Sequence, residues 1–186
     1  MKITLWSIQA EEMWHQALQS GVLRADPSYI EPFWIQPYSW IEKQMTKRIG
    51  PPPEGVIHPI WAWYSYKKIL GKPDLRCYHV QPGKKCVLLK IEIDSSQVLL
   101  TDFDDWHIVL NTGDEESIAN ECTVLENDFM PIEEVEFPWE VRGENVAMPW
   151  EGIIQPLDSK LHYVQATTWE IKIDQVKKVR YFTGRK

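Results

Sequence analysis

The segment Pro59-Ile60-Trp61-Ala62-Trp63-Tyr64-Ser65-Tyr66 (PIWAWYSY) places four aromatic rings within six consecutive residues. In an extended chain successive side chains alternate, so Trp61 and Trp63 are expected on one face and Tyr64 and Tyr66 on the other. Such a segment is expected to form a central strand, one aromatic face in the core and the other lining a cleft.

The flanking sequence supplies partners for that strand. Lys2 to Ile8 alternates polar and apolar residues and predicts a first strand. AEEMWHQALQSG then carries Met13, Trp14, Ala17 and Leu18 at helical spacing, acidic residues in its first turn, and Gly21 as a stop. Residues 28–49 have helical periodicity, and Pro37 is expected to divide them into a short helix and a second one over 39–48. Pro51 to Gly55 (PPPEG) is an extended connector. Beyond PIWAWYSY, turn residues at 71–74 and 82–83 predict a loop. Cys86 to Ile93 is the strongest strand pattern, and Val98 to Thr101 is a shorter one. DFDDWHIVLN follows as a helical turn capped by Asp102 or Asp104. Tyr163 to Ile171 and Lys178 to Phe182 predict late strands, with a turn and short helix over 173–176 between them. The whole predicts a single α+β domain over 1–186, a mixed or antiparallel sheet with flanking helices. Acidic, proline-containing residues 114–156 are expected to be an insertion within it, built of a helix or irregular loops and suited to a lid.

Composition bounds the function. A chain of 186 residues buries roughly 70% of its unfolded surface and needs no metal or disulfide to fold. The net charge of −7 argues against broad nucleic-acid binding but leaves room for a local basic pocket. Three cysteines without CxxC spacing indicate neither a disulfide framework nor a zinc site and fit a reducing cytoplasm. No apolar run reaches signal-peptide or membrane-span length, so a soluble, cytoplasmic protein is expected. His15, His58, His79, His107 and His162 share no metal-ligand spacing. GxGxxG, GxxxxGK[ST] and GxSxG are absent.

Three features carry candidate chemistry. Thr101 to His107 (TDFDDWH) concentrates three carboxylates beside an imidazole and an indole, suited to acid–base work or to holding a ribose. The simpler role is helix capping by Asp102 and Asp104. Arg24/Asp26 and Asp74/Arg76 lie in loops; arginine suits phosphate, but a surface ion pair is the plainer expectation for each.

LWSIQ, GVLRADPSYI, KRIGPPPEG, PIWAWY, KPDLR, LLTDFDDWHIVLN and VQATTWEI, in this order, resemble a bacterial family known as domain of unknown function 3841. The order of elements is also similar to that of DNA-modifying ADP-ribosyltransferases. That second resemblance implies an NAD site with a ribose-binding residue near Ser7 or Gln9, a nicotinamide-stacking Tyr64, and a catalytic Glu at the position held by Thr167. A threonine supplies no carboxylate for an oxocarbenium-like transition state, and Glu170 would face the other side of a regular strand. The resemblance therefore implies nucleotide binding, with transfer in doubt, in a pocket formed by Gln9, Arg24, Tyr64, Asp102, Gln165 and Thr167. NAD is the implied cofactor.

Two alternatives belong to other classes. One is a non-enzymatic module gripping a protein or peptide through exposed tryptophans and the acidic 114–151 region. The other, single-stranded nucleic-acid binding, requires Lys84, Lys85, Lys177, Lys178 and Arg180 to converge on one face.

Overall fold

The computed structural model describes residues 1–30, 32–67, 71–77, 79–112 and 150–185. The chain forms β1 (Lys2–Ala10), α1 (Glu11–Ser20), β2 (Val22–Leu23), α2 (Ile35–Arg48), β3 (Ile60–Tyr66), β4 (Lys85–Asp94), β5 (Leu99–Asp102) and α3 (Phe103–Thr112). It then forms β6 (Ile154–Gln155), β7 (Tyr163–Thr168), β8 (Ile171–Lys172) and β9 (Val176–Thr183). Seven strands pair antiparallel in the order β6-β5-β7-β3-β1-β4-β9, and β2 pairs with β8 in a small second sheet. The architecture is α+β, and PIWAWYSY lies at the centre of the large sheet.

Alternation assigns the residues to two faces. Ile3 and Leu5 of β1 join Val87, Leu89, Ile91 and Ile93 of β4 and Ile60 and Ala62 of β3 in one core, closed by Trp14 and Ala17 of α1. Gly21 ends α1, its N–H donating to the Ala17 carbonyl at 2.8 Å. On the opposite face Ile41 and Met45 of α2 and Trp106 and Val109 of α3 cover Leu99 and Trp61. Trp61 and Trp106 stack with centroids 4.9 Å apart, and Tyr38 meets both edge-on at 6.3 and 5.9 Å. Burial pushes the Tyr38 hydroxyl up, with the nearby Trp61 indole pulling the other way. That indole N–H makes no hydrogen bond of good geometry.

Both faces of β3 are thus packed, and the cleft expected against one of them is filled by helices. A second correction concerns the rings. The β3–β7 register slips between Trp63 and Ser65, so Tyr64 is an extra residue. Tyr64 packs toward the α1 side, whereas Tyr66 returns to the Trp63 side, with ring centroids 5.0 Å apart. The expected break at Pro37 does not occur either. Pro32–Trp34 form a short 3-10 turn and α2 runs unbroken from Ile35. Pro37 sits in its first turn, where a missing N–H leaves no intrahelical bond unmade. The late strand expected over 163–171 ends at Thr168 and resumes as β8 at Ile171. The 114–149 part of the expected insertion lies outside the described residues.

Gly71 begins a loop over β1. Its φ is +68°, and a Cβ there would lie 2.4 Å from the Tyr64 carbonyl oxygen and 3.3 Å from the Trp6 ring. The adjacent Lys72 Nζ sits 5.7 Å from the Trp6 ring centroid.

Two stability outcomes follow. Trp106→Ala is expected to cost about 3–5 kcal/mol in urea unfolding, because it empties the stacked centre of the α2–α3 core. Gly71→Ala is expected to cost at least roughly 1–2 kcal/mol from its left-handed backbone alone, plus the collision with Tyr64. A Gly71→Ala protein as stable as the parent would show that the loop does not hold this close approach.

Candidate functional site

Parity divides the strand residues expected to share one pocket: Gln165 and Thr167 stand on one side of the sheet, Gln9, Tyr64 and Asp102 on the other. Trp6 registers with Trp63, Trp63 with Gln165, and Gln165 with Thr101. These four therefore share the α2–α3 side. Gln9 is three residues from Trp6 and lies on the α1 side, where its Nε2 donates to Ser7 Oγ at 2.7 Å. Ser7, fully buried, donates in turn to the Trp61 carbonyl at 2.8 Å. This chain of bonds supplements the single β1–β3 register pair.

The remaining candidates are engaged separately. Tyr64 Oη donates to the Leu157 carbonyl at 2.7 Å. Thr167 is completely buried and its hydroxyl donates to the Leu99 carbonyl at 3.3 Å. Asp102 caps α3, accepting from the Asp104 and Asp105 amides. Burial, then the neighbouring Asp102 and Asp104 carboxylates, push Asp105 up. His107 Nδ1 donates to the Phe103 carbonyl at 2.8 Å. The TDFDDWH segment is thus occupied in building a helix start. Gln165 Oε1 and its register mate Thr101 Oγ1 are buried without hydrogen-bond partners.

Arg24 serves as a staple between distant segments. It donates to Glu170 Oε2 through Nε and Nη2 at 3.1 and 3.0 Å, and through Nη1 to the Glu54 carbonyl at 3.3 Å. Trp169 Nε1 donates to the Gly50 carbonyl at 2.9 Å. Three separate stretches, GVLRAD, KRIGPPPEG and TTWEI, are thereby pinned at one corner. Asp26 instead accepts from the Ser28 amide.

A wide groove lies elsewhere. It measures about 810 Å³ and runs between the Gly71–Cys77 loop and the C-terminal end of β9. Lys72, Arg76, Arg180 and Arg185 line it, with Asp74 the one carboxylate among the lining residues. Asp74 is gripped by Arg76 through Nε at 2.9 and 3.0 Å and Nη2 at 2.6 Å, and by the Arg76 amide at 3.0 Å. Those bonds hold its carboxyl well below the usual range. At the back of the loop Tyr66 is buried, and that burial, with Cys77 next in effect, pushes its hydroxyl up to about 12.

The far wall is held by backbone. Gly184 N–H donates to the Lys84 carbonyl at 2.9 Å and its own carbonyl accepts from Gly83 at 3.0 Å. A Cβ on Gly184 would lie 2.2 Å from the Gln81 carbonyl oxygen. Sequence reasoning singled out Asp74 and Arg76 but missed Lys72 and Arg185. The only available signal was the recurrence of Lys and Arg around KPDLR and at the end of the closing strand.

Two smaller grooves lie apart from it. One, of about 350 Å³, lies between Pro51, Pro53 and the Trp169–Glu170 turn; the other, about 320 Å³, lies between the start of α1 and Lys84–Lys85. Among the described residues no three His, Cys, Asp or Glu side chains gather as a metal site, and no helix is long and apolar enough to cross a membrane. None of the described tryptophan side chains is exposed.

No curated protein and no solved structure matches the chain. A family model described as Domain of unknown function (DUF3841) matches residues 4–177, in agreement with the motif order of LWSIQ through VQATTWEI, and the chain belongs to that family.

Proposed function

We propose that this protein binds a phosphate-bearing ligand of nucleotide size in the groove between the Gly71–Cys77 loop and β9. One observation carries the reading: four cationic residues from two segments a hundred residues apart in sequence line one groove. Arginine presents a planar donor fork matched to phosphate oxygens. A volume near 810 Å³ lies within the range typical of small-molecule sites.

The overall charge of −7 is no obstacle. Of the 27 acidic residues, 11 lie between Asp114 and Glu144, accompanied only by Arg142. The rest of the chain carries 19 basic and 16 acidic residues. A ligand within one Debye length, roughly 8 Å, responds to the local balance.

The activity proposed is binding rather than ADP-ribosyl transfer. Thr167 is sealed in the interior, and the groove's Asp74 is engaged by Arg76. NAD remains the ligand named by the layout resemblance. Binding there would use the pyrophosphate as the recognised group.

Calorimetry with NAD, ADP-ribose and ATP at low ionic strength tests this. The expected result is a heat of binding that weakens as salt rises, with Arg180→Ala/Arg185→Ala lowering affinity about tenfold or more through loss of two charge-assisted contacts. No heat with any of the three at millimolar concentration, or unchanged affinity in the double variant, would overturn the proposal.

A further inference from the structure

The groove opens onto a strip of cations that a small nucleotide would leave unused. Arg180 registers with Leu88, and Lys178 with Lys90. Leu88 and Lys90 in turn register with Ile8 and Trp6 of β1. Lys90, Lys178 and Arg180 therefore project from the same side of the sheet as Trp6, over which Lys72 reaches.

Lys90 and Lys178 are direct cross-strand neighbours. Like charges in that position destabilise a sheet unless something negative lies across them. β9 is an edge strand of the sheet, and lysines on an edge deter strand-to-strand aggregation. That role accounts for Lys177, whose Nζ donates to the Asp174 carbonyl, and for Lys178. It does not account for Lys90, which lies on the interior strand β4, nor for the cations of the Gly71–Cys77 loop.

We infer that the groove and this strip together bind a single strand of nucleic acid, the groove taking one nucleotide and the strip the phosphodiesters that continue from it. This rests on the groove reading above. Alternate residues of a strand stand roughly 6.6 Å apart, so Lys178 and Arg180 offer widely spaced single charges rather than a dense cluster. That spacing suits a chain with one charge per nucleotide better than polyphosphate, whose charges are closer together. The cations required at the outset only partly coincide with this set. Lys178 and Arg180 belong to it, whereas Lys84 and Lys85 line the separate groove beside α1. Their places are taken by Lys72 and Lys90.

Fluorescence anisotropy with a labelled oligothymidylate of roughly twelve nucleotides, set beside calorimetry with thymidine monophosphate, tests the inference. The oligonucleotide is expected to bind at least about tenfold tighter than the mononucleotide, with affinity falling as salt rises. Lys90→Gln/Lys178→Gln should remove that gain and reduce the log–log salt slope by about 1.4, at roughly 0.7 per phosphate contact. Mononucleotide affinity should be unchanged by the double variant.

An oligonucleotide that binds no tighter than the mononucleotide overturns the inference and leaves the groove reading standing; failure of both to bind overturns both. Equal affinity for a duplex of mixed sequence, or for inorganic polyphosphate, also counts against a single strand. Should the double variant fold poorly, the parent protein still decides the matter, because a salt slope near zero excludes a polyanion track.

Discussion

Side-chain parity along β1, β3 and β7 is the constraint from which the rest of the molecule follows. Once Trp6, Trp63, Gln165 and Thr101 stand in one register row, Ile3, Leu5 and Ser7 must face the other way. A one-residue slip would exchange the two cores. The bulge at Tyr64 shifts parity locally and sends Tyr66 back to the Trp63 side. Because helices or loops pack on both faces at the sheet centre, polar chemistry is displaced to its margin, where the Gly71–Cys77 loop passes over β1 and β9 ends.

What could be seen beforehand was local. The alternation of Lys2 to Ile8, the apolar run from Cys86, the spacing of Trp14 and Ala17 and the Asp102 cap each depend on neighbours within a few residues. Pro37 misled because its position relative to a helix start cannot be known until the start is known. The bulge had no signal, since Trp63-Tyr64-Ser65 contains neither glycine nor proline. The candidate pocket is divided between the two faces for a different reason. Gln9, Tyr64 and Gln165 were brought together by the order of motifs, and order carries no parity, so Gln165 falls on the side opposite the other two. The basic groove depends on residues 72–76 and 180–185 meeting, a long-range event to which no short pattern points.

Charge shows the same contrast between average and arrangement. A net charge of −7 describes a chain whose excess of acidic over basic residues lies in one stretch. Exposed charges act over a Debye length, so Arg180 and Arg185 are governed by the groove around them. Asp74 belongs to that local account. Its bidentate contact with Arg76 neutralises one cation while fixing the plane of the guanidinium, which still has Nη1 to offer.

The groove's walls are held before any ligand arrives. Binding costs free energy for each side chain and loop that must be ordered, and preorganisation reduces that cost. Lys72 rests over the Trp6 ring, and the Gly71 backbone presses so closely on Tyr64 that no Cβ fits. The opposite wall is bonded through Gly184 to Gly83 and Lys84, with a second close approach to Gln81. Two points of backbone contact thus place the loop and the strand end on either side of a fixed gap. The long basic side chains are left to adjust across it.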